Sequence, residues 1–233
     1  MKVINKVLIP SCLALLAGPL SAAELDIKVT NLTHGIYFTP LLITAHTSDA
    51  HLYELGMAAS EDLQKVAEGG DISGFSSTLA TINADSSENP AGGLLAPGAS
   101  TETMLSTTDG NVHLSIVSML LPTNDGFVGL DSWSIPDEPG TYTVYLNGYD
   151  AGTEANNEII NGGGMPGVLG IPVDPSGNNG TGAVGVTDME ENSMVHVHRG
   201  NLGDTDVSAG MSDLDSTVHR WLNPVAKVTI TVN

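Results

Sequence analysis

The chain has 233 residues, 41% of them hydrophobic and only 4% aromatic, and its 27 acidic side chains against seven basic ones give a net charge of −20. A surface of that sign repels nucleic acid and anionic lipid, which excludes DNA, RNA and membrane-surface binding as principal functions. The length fits one domain, whose interior Val, Ile, Leu, Met and Ala must fill because aromatics are so few.

Residues 1–23 read as a signal peptide. Lys2 and Lys6 make a positive start, Val7 to Leu20 an apolar core, and Ser21-Ala22-Ala23 a small-residue cleavage site. The apolar run is short for a membrane anchor and is interrupted by Pro10 and Pro19. Cleavage at Ala23 or Glu24 leaves a mature chain of 24–233 that is secreted or periplasmic, with no membrane span. Cys12 is the only cysteine and lies within the removed segment, so the mature protein holds together without disulfides. Without Lys2 and Lys6, five basic residues face 27 acidic ones, a net charge of about −22.

The mature chain reads as β. Leu25 to Thr30 alternates apolar and polar residues, as a half-buried strand should. Tyr37 to Ala45 is a second run, with Pro40 suited to a sheet edge. Ser60 caps a short helix from Ala59 to Glu68, ended by Gly69-Gly70, and Leu63, Val66 and Ala67 share one of its faces. Phe75 to Ile82 reads as irregular. Strands follow at Ser100 to Leu105, Val112 to Leu121, Gly140 to Leu146, Ser193 to Arg199 and Val225 to Val232. Residues 155–192 are rich in Gly and Asn and lack periodicity, which predicts a long loop insertion. Val168 to Val173 is its one strand-like piece, and Asp174 to Gly180 reads as a turn without the spaced carboxylates of an EF-hand. Having little apolar area to bury, the insertion is expected to be dispensable for the fold.

The most informative stretch runs from Ser118 to Glu154. The strand Leu114 to Leu121 leads into Pro-Thr-Asn-Asp-Gly and delivers Asp125. The strand Tyr142 to Leu146 leads into Gly-Tyr-Asp-Ala-Gly-Thr-Glu and delivers Asp150. Adjacent strands ending at one edge would bring the two acidic turns together, and hard oxygen ligands from separate loops are what a calcium ion requires. The plain alternative is turn chemistry, since Asp and Gly are ordinary turn residues.

The wording of these turns resembles the spondin domain, the amino-terminal module of F-spondin and mindin that also occurs alone in secreted bacterial proteins. Pro122, Asp125, Phe127, Val128, Gly129, Asp131 and Ser132 carry the first motif, and Asp150, Ala151, Gly152, Thr153 and Glu154 the second. The resemblance implies an antiparallel β-sandwich with a calcium ion at one end of the sheets. It implies as ligands the leading Asp of each acidic turn, Asp125 and Asp150, and one Glu on the preceding strand. Glu102, on Ser100 to Leu105, is the nearest acidic candidate for that Glu. Asp131 and Glu154 are further candidates, with turn capping as the alternative role.

Histidines form the rival site. His196 and His198 lie two apart on a strand and share a face, so with His219, His113 or His46 they offer zinc or copper ligands. Solvent-facing or sheet-bonded histidines are the simpler reading, because the sequence places no third ligand. The lack of a cysteine excludes type 1 copper. No nucleophile elbow, zincin helix or phosphate-cradling loop is present. Asp125, Asp131, Asp150 and Glu154 would supply a glycosidase pair, but only Trp133 and Trp221 are available to line a cleft.

The expectation is therefore an all-β protein, an antiparallel β-sandwich of about eight strands with one short helix and a long Gly/Asn-rich loop at 155–192. Its function is read as a non-catalytic, calcium-binding adhesion, matrix or ligand-binding module, with Glu102, Asp125 and Asp150 on the metal. A calcium-stabilised structural envelope protein is the second reading and a carbohydrate-acting enzyme the third. Partners are an extracellular or envelope protein or polysaccharide.

Overall fold

A computed structural model describes residues 22–187, 189, 192–206 and 208–233. The expected signal segment lies outside the described residues except for Ala22 and Ala23. In chain order the elements are β1 (Glu24–Asn31), β2 (Tyr37–Phe38), β3 (Leu42–His46), α1 (Glu61–Gly69), α2 (Ser73–Thr81), β4 (Asp85–Glu88), β5 (Ser100–Ser106), β6 (His113–Leu121), β7 (Gly126–Ser134), β8 (Gly140–Asp150), β9 (His196–Val197) and β10 (Ala226–Val232).

The main sheet runs β4-β3-β6-β7-β8-β10-β1-β5, with β2 added to β6 and β9 to β8, and every strand pair is antiparallel. Its two ends approach each other, with Ser87 Oγ of β4 and Thr103 Oγ1 of β5 2.8 Å apart. The all-β antiparallel expectation holds, but the sheet curls into a nearly closed barrel rather than splitting into two flat layers. Curling covers the edges that an open sheet of this width would leave unpaired.

Two apolar clusters explain the strand patterns. The barrel interior is filled by Leu25, Ile27, Val29, Phe38, Ile43, Leu114, Ile116, Val128, Leu146, Val228 and Ile230, among others. The second cluster lies between the helices and the outer face of the sheet, where Leu63, Val66, Ala67, Phe75 and Leu79 meet Leu42, Val117 and Phe127. β6 is thus covered on both faces, so Leu114 to Leu121 is buried throughout and apolar except for Ser115 and Ser118. β1 and β10 are covered on one face only and alternate.

Ser60 caps α1 by accepting the Leu63 N–H, and Gly70 closes it in the left-handed region at φ 69°. α2 occupies a stretch expected to be irregular. It has no side-chain cap, but Phe75 and Leu79 lie one turn apart and are both buried. Tertiary packing of that pair outweighs the weak helix preference of its Ser and Thr residues. Tyr37 to Ala45 divides into β2 and β3 around Pro40, which supplies no ladder N–H.

The segment after β8 is better anchored than its composition suggests. Ile160 bridges Ile171, and the Ile171 side chain is completely buried. Asp174 makes the expected turn, its Oδ1 accepting the Ser176 N–H at 2.8 Å. Its other oxygen lies 3.2 Å from His219 Nε2 inside the protein. Asp213 accepts the N–H groups of Ile160, Thr181 and Ala183. These contacts run against the expected dispensability of this insertion. Part of it is core, and buried carboxylates bind its backbone.

Candidate metal centre

The first acidic turn connects β6 to β7 through a cis Leu121–Pro122 bond. Thr123 Oγ1 donates to the Leu120 carbonyl at 2.6 Å and accepts the Gly126 N–H at 3.0 Å, closing the turn tightly. A Cβ at position 126 would collide with Thr123, so glycine is required there. Asp125 is left fully buried at the hairpin.

The second turn follows β8. Asp150 Oδ1 accepts the Gly152 N–H at 2.8 Å, an Asx turn. Gly152 has φ 70°, and a Cβ there would meet the backbone of Ser193 and Met194. β7 lies between β6 and β8, and its register sets Gly126 opposite Asp150. The expected juxtaposition of the turns is thus achieved through β7, a strand whose residues carry part of the first turn motif.

Backbone groups then lock one turn to the other. The Ala151 N–H donates to the Asp125 carbonyl at 3.2 Å. Asp125 Oδ2 accepts the N–H groups of Thr153 and Glu154 at 2.8 and 3.1 Å, and the Thr153 hydroxyl at 3.2 Å. Asp150 Oδ2 accepts the Asn156 amide at 2.6 Å, and His196 Nδ1 stands 3.8 Å from Asp150 Oδ1. Glu154 is buried beside them, and its Oε2 accepts the Gly170 N–H at 2.8 Å. Asp125 Oδ1 and Glu154 Oε1 are buried and accept no hydrogen bond among the described residues.

Burial, then the neighbouring charge of Asp150, pushes the Asp125 carboxyl up to about 8 against the backbone bonds that favour its ionised form. Burial likewise pushes Glu154 up to about 7. No Lys or Arg among the described residues pairs with either acid. Crowded, desolvated carboxylates with an unused oxygen are what a hard cation relieves, so Asp125 and Asp150 fit a calcium ion in chemistry.

The three-carboxylate set is not assembled. Glu102 sits on β5, opposite Lys28 of β1, and its carboxylate is 2.7 Å from the Lys28 ammonium. Lys28 faces Thr229 of β10, which in turn faces Thr143, seven residues along β8 from Asp150, so Glu102 belongs to another part of the barrel. Asp131 is also elsewhere: it accepts the Leu52 N–H at 2.7 Å and pairs with His51 at 2.6 Å. Among the described residues no three His, Cys, Asp or Glu side chains form a metal-ligand group. Glu154 is the third carboxylate that the fold brings nearest to Asp125.

His198 does not act as a metal ligand with His196. Its Nε2 is 3.0 Å from Asn156 Oδ1, and its Nδ1 accepts the Gly200 N–H. Burial, with Arg199 and His196 nearby, lowers its pKa to about 3, so the ring stays neutral. Asn156 contacts both Asp150 and His198, and nothing in its sequence position, six residues past Asp150, marks it for that role.

Fold and site together define a β-barrel module with a buried acidic centre at one end. A family model described as Spondin_N matches residues 30–158, over half of the chain and including both acidic turns. The chain belongs to the spondin N-terminal domain family. Members of this family are typically extracellular and generally non-catalytic. No curated protein matches the chain, and no helix among the described residues is long and apolar enough to cross a membrane.

Proposed function

We propose that the chain is an exported, non-catalytic binding module of adhesion or matrix type that takes a calcium ion at Asp125 and Asp150. The observation that carries this reading is the buried Asp125 carboxylate, which faces a second acid and leaves Oδ1 without a hydrogen-bond donor. Calcium accepts six to eight oxygens, so neutral carbonyl, amide and water oxygens would complete the shell around the two carboxylates. Bound there, the ion neutralises the acids and joins the β6–β7 hairpin to the end of β8. Loops leaving that junction form the surface offered to an extracellular or envelope protein or polysaccharide. Export rests on the sequence pattern of residues 1–23, and mass spectrometry of the exported protein should find a mature terminus at Ala23 or Glu24.

The test is calorimetric titration of chelator-stripped protein with calcium, alongside thermal unfolding. Saturable binding should stabilise the native state by about 2.7 kcal/mol at a hundredfold excess over the dissociation constant. Asp125→Ala and Asp150→Ala should each abolish that gain, while Glu102→Ala should leave it intact. Full calcium response in both Asp variants would refute the assignment.

A further inference from the structure

The chain's only two arginines, Arg199 and Arg220, line one surface pocket of about 560 Å³ together with Asn201, Leu202, Trp221 and Leu222. Their placement is unusual for a protein of net charge −20. Of the three described lysines, Lys28 and Lys65 are neutralised by ion pairs with Glu102 and Asp62, and Lys227 lies on β10. Neither arginine pairs with a carboxylate among the described residues. Arg199 spends one N–H on the Asn156 carbonyl at 3.0 Å, and Arg220 spends Nε–H on the Leu202 carbonyl at 2.6 Å. Each guanidinium has five donors, so most remain available, and both side chains are exposed.

Trp221 adds an independent sign. It is buried, and its indole N–H has no acceptor among the described residues. A buried N–H without a partner is costly, and native proteins rarely leave one so. At the same pocket Leu222 is 84% exposed and Leu202 is 44% exposed, giving an apolar rim beside the cationic groups. Donors and apolar surface together suit a ligand that carries an oxyanion on an apolar stem.

We propose that this pocket binds an oxyanion, a carboxylate or a sulfate ester, with its charge on Arg199 and Arg220 and its apolar stem against Leu202 and Leu222. Arginine favours such groups because its planar fork can meet two oxygens at once. The remaining acidic surface repels anions and confines them to this place. The site is separate from the calcium centre and does not rest on it, although Asn156 touches both Arg199 and Asp150.

The test uses the full mature chain and four probes of equal stem length: hexanoate, hexyl sulfate, hexanol and hexylamine. The readout is the indole N–H resonance of Trp221, assigned by comparison with Trp133→Phe. Hexanoate or hexyl sulfate should shift that resonance saturably, and the tighter of the two names the oxyanion. Hexanol and hexylamine should bind at least tenfold more weakly. Arg199→Gln and Arg220→Gln should each weaken the anion at least fivefold, with near-ultraviolet dichroism checking the fold. Equal response to hexanol, or no response to either anion, overturns the proposal on the unaltered chain without any variant. Repeating the titration in chelator separates it from the calcium reading, because the anion response should persist there.

Discussion

Gly126 and Asp150 are direct partners across β7 and β8, and that pairing sets the acid of the second turn beside Asp125. Two buried carboxylates held this way are costly when both are ionised. The backbone donors of Thr153 and Glu154 satisfy one oxygen of Asp125 and leave the other without a donor. Stability of the metal-free protein should therefore be low where the acids ionise.

In chelator, stability should decline as pH rises from about 4 to about 8. Asp125 and Glu154 have folded-state pKa values raised to about 8 and about 7, above the ordinary carboxylate range. Between those limits the native state holds protons that the unfolded chain has released, so the slope of stability with pH is negative. Below about pH 6.5 the buried His198 acts in the opposite sense. Its lowered pKa leaves the unfolded state with the extra proton, and stability is lost as pH falls towards about 3. Urea midpoints across pH 4–9 should peak at mildly acidic pH, and saturating calcium should remove the decline on the alkaline side. A flat alkaline limb in chelator would contradict the ionisation assigned to Asp125.

Asp125→Asn should separate charge from shape. The amide keeps an oxygen for the Thr153 and Glu154 N–H groups and removes the repulsion with Asp150. At pH 9 in chelator the variant should be more stable than the unaltered protein by about 1–3 kcal/mol, the scale of the penalty for a buried polar atom left without a partner. It should gain nothing from calcium. Thermal melts with and without the ion measure both effects.

Much of this was legible in the residues. Alternation in Leu25 to Thr30 and Val225 to Val232 gave strands because both lie on the barrel wall with one wet face. The two acidic turns were legible because Gly126 and Gly152 stand where only glycine fits. Glu102 was misplaced because strand order around a barrel is a long-range property. It put two strands, β1 and β10, between that residue and the strand that ends in Asp150. α2 escaped because two apolar residues one turn apart carry no signal until α1 and the sheet supply the surface they bury. Closure of the sheet into a barrel rests on the approach of β4 to β5, which no local pattern encodes.

The insertion supplies a test of that long-range ordering. Ile171→Ala should cost about 2–5 kcal/mol, because the side chain is completely buried and its removal leaves a cavity. Replacing residues 161–179 with a Gly-Ser linker should cost more than the single substitution, since it also removes the Gly170 N–H from Glu154 and Asp174 from His219. Denaturant midpoints of the two variants check this. A linker variant as stable as the parent would show that these contacts contribute nothing.

Gly148→Ala should reach the arginine pocket from beneath. A Cβ at position 148 would stand 2.6 Å from two ring carbons of Trp221 and 3.0 Å from Leu120 Cδ1. Leu120 is core and Trp221 is buried, so the indole must shift or the strand must bend, and overpacking of this kind costs about 1–3 kcal/mol. β8 is also held here by Asn223, whose Oδ1 accepts the Gly148 N–H at 2.7 Å, so the backbone has little freedom to yield. The expected outcome is a lower urea midpoint together with a changed near-ultraviolet signal from Trp221, while the calcium response at Asp125 and Asp150 persists. An unchanged Trp221 signal at full stability would mean that β8 moves instead, and the close contact between Gly148 and the indole would not be what requires glycine at that position.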